Sequence, residues 1–369
     1  MIDEALLKNE ERAVFALRAL YKKHGYQPFK MSKFEEYELY LRNRDFLVSD
    51  RIISFNDTDG KLMALKPDVT LSIIKNGEDS PGRVQRVYYN ENVYRAPGGA
   101  RRFKEIMQTG LECVGDIDGY DIFEVVSLAA RSLALISEQF VLDVSHLGLL
   151  AALLGETGAD AELRGEIARC VAAKNAHGIE AACKRGGVAP EQTEKLCAFA
   201  GIYGGMDGVI ARLEPLCAGA DAAAALAELR ALRALLRGSG LEDRIHFDFS
   251  VVNDMAYYNG IVFRGFLNGV CEGVLAGGQY DKLMRKMGRS SRAIGFALYL
   301  DLLEGLSGAQ REYDVDALLL YGADTGAKTV ADAAEKLIRG GLSVSAQREI
   351  PDTLRYRRLV DLRGGGRRC

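Results

Sequence analysis

The strongest constraint on the fold lies between residues 84 and 115. Two strand-like runs, VQRVYYNENVYR and FKEIMQTGLECVG, flank APGGARR, whose proline and paired glycines break any helix. That pattern closes as a long hairpin. A second hairpin signal precedes it in RIISFNDTDGKLMAL (51–65), where two apolar or alternating runs meet at Asp-Thr-Asp-Gly. Two consecutive hairpins predict an antiparallel sheet.

Helices flank it. Residues 3–24 read as an amphipathic helix with Val14, Leu17, Leu20 and Tyr21 on one face and Gly25 placed to end it, and an irregular stretch follows. Residues 119–140, with Asp118 as N-cap, repeat Ile122, Val125, Val126, Ala129, Leu133 and Ile136 at helical spacing and should lie across the sheet. The first 140 residues are therefore α+β. From about Leu147 to Gly238 the chain is rich in Ala, Leu and Glu, with breaks at ETGAD, KNAHG, GGVAP and CAGAD, and reads as an all-helical insertion. Strand patterns return in HFDFSVV and YYNGIVFRGF, and both GVLAGGQYDKLMRKMG and RAIGFALYLDLLEGL lead from strand to helix. The last 60 residues read as a small α/β module, with VDALLLYG, LSVSA and RRLVDLRG as strands and VADAAEKLIRGG as helix. The predicted domains are a core of 1–141 and 243–308, a helical insertion at 142–242 and a C-terminal module at 309–369.

Composition excludes several classes. A chain of 369 residues that is 48% hydrophobic and 27% charged has enough apolar material for a continuous core. With 48 Lys and Arg against 51 Asp and Glu, no global field draws it to nucleic acid or an anionic membrane. No run approaches the ~20 apolar residues of a membrane helix, and the acidic, amphipathic start is no signal sequence, so a cytoplasmic protein is expected. Seven cysteines without C-x-x-C spacing and four scattered histidines predict reduced thiols and no metal site, and no cofactor is expected.

Four segments carry the chemistry: LKPDVT (65–70), NENVYRAPGGARRFKEIMQTGLECVG (90–115), VVNDMAYYNGIVF (251–263), and VLAGGQYDKLM (274–284) with AIGFALYLDLL (293–303). In this order, with a helical insertion between the second and third, they resemble the catalytic core of histidyl-tRNA synthetase and its non-catalytic relative, the ATP phosphoribosyltransferase regulatory subunit. The resemblance spans residues 1 to about 305 and implies a class II synthetase-like antiparallel sheet with flanking helices.

Synthetases of this type neutralise the charge developing on the α-phosphate with fixed cations, and the resemblance implies three arginines. Arg95 matches one, although the hairpin loop is a residue shorter and lacks the acidic residue that follows the arginine in the family. At the second position stands Asn253, and at the third Leu302, beside Asp301. Neither an amide nor an isobutyl group replaces a bidentate guanidinium, so no catalytic residues are assigned. The ligand-binding positions are kept. The resemblance assigns an α-ammonium to Asp68, Thr70 and Gln108, and an imidazole to Glu112, Tyr258 and Tyr280. On a strand, Gln108 and Glu112 point to the same face. Plainer readings stand beside these: Asp68 after Pro67 as a turn acid, the tyrosines as half-buried aromatics, Glu112 on a solvated face. Gly277 and Gly278 read as a sharp strand-to-helix passage. Arg101 and Arg102 in the Gly-Gly loop, with Arg95, are the candidate anion contacts; the loop reads equally as a solvated hairpin tip.

The segment GYQPFKMSKFEE departs from the family pattern, with Ser32 at a proline position, in a region that forms the family's homodimer interface. The tail resembles half of an anticodon-binding domain and has no basic stripe, which argues against tRNA as a partner. The resemblance thus implies a non-catalytic regulatory subunit of ATP phosphoribosyltransferase, binding L-histidine for feedback control. Its partner is the short-form catalytic subunit, in a hetero-oligomer containing a homodimer and away from membranes. The alternatives are a divergent but active histidyl-tRNA synthetase and a ligand-binding or RNA-associated paralogue without a biosynthetic partner.

Overall fold

The computed structural model describes residues 7–47, 51–77, 82–96, 102–252, 257–303 and 312–363, which fall into two compact units, 1–306 and 307–369. In the first, α1 (Asn9–Lys23) buries Ala13, Val14, Leu17 and Tyr21, and the chain leaves it through Gly25 at φ 81°, a left-handed turn that glycine makes without steric cost. The stretch that reads as irregular contains β1 (Gln27–Pro28), β2 (Phe34–Glu36) and α2 (Tyr37–Arg42), elements too short to show a period. The first hairpin is β3 (Ser54–Asn56) and β4 (Leu62–Leu65), and β2 adds to β4 to complete a three-stranded antiparallel sheet. Next comes α3 (Thr70–Asn76).

The long hairpin forms as expected: β5 (Val84–Arg95) and β6 (Lys104–Gly115) pair from Val84↔Gly115 to Arg95↔Lys104. After it, α4 (Gly119–Ile136) is capped by Asp118, whose carboxylate accepts from the N–H groups of Tyr120 and Asp121 while Asp121 returns a bond to the Asp118 N–H. This helix ends four residues before 140. The chain then enters β7 (Phe140–His146), so residues 142–146, assigned from sequence to the insertion, lie in the sheet.

Helices α5 (Leu147–Gly155), α6 (Ala161–Ala172), α7 (Ala176–Arg185) and α8 (Pro190–Ala200) follow. A short strand β8 (Tyr203–Gly205) interrupts the helical run before α9 (Met206–Leu213) and α10 (Ala220–Leu236). The sheet is completed by β9 (Ile245–Asp248), β10 (Ile261–Leu267), β11 (Leu275–Gln279), and, after α11 (Asp281–Lys286), β12 (Arg292–Tyr299), which runs into a 3-10 turn at Leu300–Leu303. Nine strands stand in the order β1-β5-β6-β12-β11-β10-β7-β9-β8, antiparallel except where β1 meets β5 and β7 meets β9. The protein is α+β, and one apolar core joins α1, α4 and the helical run to one face of this sheet.

The second unit holds β13 (Val315–Leu320), α12 (Ala327–Arg339), β14 (Val344–Gln347) and β15 (Tyr356–Asp361), its three strands parallel in the order β14-β13-β15. Among the described residues no helix is long and apolar enough to cross a membrane, and no cluster of His, Cys, Asp and Glu could hold a metal.

Candidate functional site

The sheet face opposite the main core carries a cavity of about 600 Å³, its open mouth included. Strand alternation decides which side chains reach it. Gln108, Gly110 and Glu112 on β6, Gly295 and Ala297 on β12, and Ala276 on β11 share one face, so the floor is mostly glycine and alanine. Bare backbone there leaves room for a ligand.

Glu112 is the buried polar centre, 2% exposed. Its Oε1 accepts a 3.1 Å hydrogen bond from the Thr70 hydroxyl and its Oε2 a 2.6 Å bond from the Tyr280 hydroxyl. Thr70 opens α3 and Tyr280 immediately precedes α11, so the carboxyl is clamped by two helix starts lying 210 residues apart in number. Burial pushes the carboxyl up to about 8 against the pull of these two bonds. Gly295 lies directly across from Glu112, and a methyl group there would fall on the Glu112 carboxylate.

Asp68, also buried, caps the start of α3 by accepting from the Leu71 N–H at 2.9 Å and faces the Arg95 guanidinium at 3.7 Å. Burial raises its pKa and Arg95 opposes the shift. Arg95 itself is held by an Nε bond to the Pro67 carbonyl at 2.5 Å. Gln108 lines the same cavity, and its Nε2, though buried, has no hydrogen-bond partner. An orphaned amide donor facing empty space awaits an acceptor.

Asp68, Thr70, Gln108, Glu112, Tyr258 and Tyr280 therefore line one cavity, with Arg95 beside them. Arg102 is exposed and lines no part of it, while Arg101 and Asn253 lie outside the described residues. Leu302 packs against the main apolar core. Gly277 and Gly278 correct an expectation: both pair in mid-sheet, and a side chain on Gly277 would strike the Gly295 carbonyl, so close strand packing rather than a strand-to-helix passage demands them.

The motif reading also missed five aromatic residues of the lining, Phe46, Tyr89, Tyr257, Phe296 and Tyr299. Tyr257 meets Tyr258 edge-on at 4.6 Å and Tyr280 at a tilt at 5.9 Å, ring centre to ring centre. Alternation along β5 and β12 gives the signal for Tyr89 and Tyr299, since each shares the parity of a pocket residue. Chemically, the cavity offers acceptors for an ammonium group, a carboxyl for a ring N–H, phenols around a flat ring and a guanidinium for an anion.

Residues 2–303 match the family model described as histidyl-tRNA synthetase. A protein of Acetivibrio thermocellus named ATP phosphoribosyltransferase regulatory subunit is 27% identical over 360 residues, 95% of this chain and 85% of that one. The solved structure of an ATP phosphoribosyltransferase regulatory subunit/histidyl-tRNA synthetase from Bacillus halodurans superposes with a TM-score of 0.74, at 24% identity over 99% of this chain and 97% of the other. A chain of the ATP phosphoribosyl transferase complex from Thermotoga maritima shares the fold as well, with a TM-score of 0.61 and 19% identity over 79% and 97% of the two chains. With four fifths of its length under that family model, the chain belongs to the histidyl-tRNA synthetase family.

Proposed function

We propose that this chain is a non-catalytic regulatory subunit of ATP phosphoribosyltransferase, with L-histidine as the ligand of the cavity and the short-form catalytic subunit as its partner. The observation that carries the reading is the clamped Glu112 carboxyl with, four residues along the same strand and in the same cavity, the unpartnered Gln108 amide, in a chain whose Leu302 is given over to the core. The amino-acid half of a synthetase site is kept. Its cation set is not, since a leucine supplies no charge for a phosphate. The names of the relatives agree with this, because the Acetivibrio thermocellus protein is named a regulatory subunit and the Thermotoga maritima structure is titled as the transferase complex.

Histidine matches the lining group by group: its ammonium finds Asp68, the Thr70 hydroxyl oxygen and the carbonyl oxygen of the Gln108 amide, its imidazole finds Glu112, Tyr258 and Tyr280, and its carboxylate finds Arg95 and the unpartnered Gln108 N–H. Without adenylate chemistry, bound histidine leaves unchanged when its concentration falls, which is the behaviour of a sensor. A ligand shifts a complex toward its inactive state only by the amount it prefers that state, and a coupling of about 1–3 kcal/mol, roughly 5- to 150-fold, is adequate for feedback. The assembly in this reading is a cytoplasmic hetero-oligomer built on a homodimer.

The test is phosphoribosyl-ATP formation by the short catalytic subunit alone, with this chain, and with its Glu112→Ala variant, each titrated with histidine. Activation by the chain and histidine inhibition that the variant weakens are expected. An active variant complex with unchanged inhibition would remove the sensor from this cavity.

A further inference from the structure

The cavity floor is laid out in three rows across the strands. Glu112, Gly295 and Gly278 are register partners in the first, Gly110, Ala297 and Ala276 in the second, and Gln108 and Tyr299 in the third. Successive rows are two residues apart along each strand, about 7 Å. On β6, β12 and β11 the first two rows carry, apart from Glu112, nothing larger than a methyl group, and the Tyr89 phenol bounds the second row from β5, beside Gly110. In the third row a phenol rises from β12.

Tyr299 is half-buried and lines the cavity, and its N–H donates to the Val274 carbonyl at 2.8 Å, which ties its backbone to the neighbouring strand. Its side chain lines the same cavity as Tyr258 and Tyr89.

A flat-ringed amino acid whose ring reaches Glu112 in the first row ends its backbone over the second, beside the Gln108 amide and pointing along the hairpin toward Arg95, which pairs with Lys104 beyond the third row. Any group joined to its carboxyl carbon has to continue into the third row. We infer that Tyr299 sets the ligand class of the site, admitting a free α-amino acid and excluding derivatives that carry a bulky group on the carboxyl. The inference rests on the histidine reading given above and adds the element that rejects acyl compounds. A blocked path of this kind discriminates by clash rather than by an added attraction.

The measurement is calorimetric binding of L-histidinamide and of L-histidine benzylamide, two ligands of equal charge that differ in the size of the carboxyl substituent. The full-length protein should bind the benzylamide at least about tenfold more weakly than the plain amide. Tyr299→Ala should bring the two within about threefold, whereas Tyr299→Phe, which keeps the ring, should preserve the gap. Should the alanine variant unfold early in a thermal scan, Tyr299→Leu serves in its place. Equal binding of both amides by the unmutated protein, or an unchanged ratio in the ring-deleted variant, overturns the role of Tyr299. If neither L-histidine nor its amide binds the unmutated protein, the histidine reading itself fails and this inference falls with it.

Discussion

The Tyr280 hydroxyl donates a 2.6 Å hydrogen bond to Oε2 of Glu112, joining the strand-to-helix junction after β11 to the middle of β6 across 168 positions of sequence. Tyr280 is itself 2% exposed, so the bond lies out of water. Thr70 holds the other carboxyl oxygen from a third segment. Three separate parts of the chain thus meet on one carboxyl group, and the site forms only when the sheet is complete.

Removing that carboxyl should be costly to ligand binding. On the histidine reading, Glu112→Ala should weaken L-histidine binding by about 1–3 kcal/mol, because truncation leaves the ligand's ring N–H buried without its acceptor. Isothermal calorimetry on the two proteins measures the difference. Equal affinities would place the ligand elsewhere.

Adenylate formation should be absent. The sequence has Asn253 and Leu302 where the family resemblance implies arginines, and loss of one such group typically costs about a hundredfold or more in turnover. Histidine-dependent exchange of pyrophosphate into ATP is the assay, and an exchange rate within about tenfold of an ordinary histidyl-tRNA synthetase would reinstate the enzyme reading.

A buried ion pair outside the cavity gives a stability test. Lys66 is fully buried, and its Nζ meets Glu91 Oε2 at 2.6 Å. Glu91→Ala strands that ammonium without a partner and should cost about 3–5 kcal/mol in urea unfolding, whereas replacing both residues by apolar ones of similar volume should cost far less. Similar losses for the single and the double variant would show that the charge is not the cause.

Much of this architecture is legible in the sequence, and the parts that are not share a cause. The β5–β6 hairpin, the Asp118 cap and the common face of Gln108 and Glu112 follow from local rules of turn chemistry, capping and alternation. Strand β7 does not, because FVLDVSH sits between two strong helical patterns and its partner β10 is more than a hundred residues away. The clamp on Glu112 has no local signature either, since no period connects Thr70, Glu112 and Tyr280. Tyr299 stands between, as its parity is local but the cavity it narrows is not.

Gly295 should be irreplaceable for a reason its neighbours explain. A methyl group at this position would overlap the Glu112 carboxylate and approach the Leu111 carbonyl. Gly295→Ala should therefore lower stability by about 1–3 kcal/mol in urea unfolding at unchanged m-value, the ordinary cost of overpacking. Unaltered stability would mean that Glu112 moves aside freely, and the clamp by Thr70 and Tyr280 would be weak.

The raised Glu112 carboxyl makes stability pH-dependent in the direction opposite to most acids. Burial holds it at about 8 in the folded protein, while in the unfolded chain it returns to the ordinary value near 4.3. Between these limits the native state binds a proton that the unfolded state does not, so stability must fall as pH rises. The contribution is fully present below about pH 4 and lost above about pH 8, and at roughly 1.4 kcal/mol per pKa unit it amounts to at most about 5 kcal/mol. Glu112→Gln mimics the protonated carboxyl, with one donor and one acceptor side, and removes the titration. The variant should match the unmutated protein near pH 4 and exceed it in stability by a margin that grows up to about pH 8.5, as measured by urea unfolding across that range. Asp143, which burial raises to about 6, titrates in both proteins and cancels from the comparison. Parallel stability profiles for the two proteins would show that Glu112 ionises as an ordinary carboxylate and that its burial carries no proton.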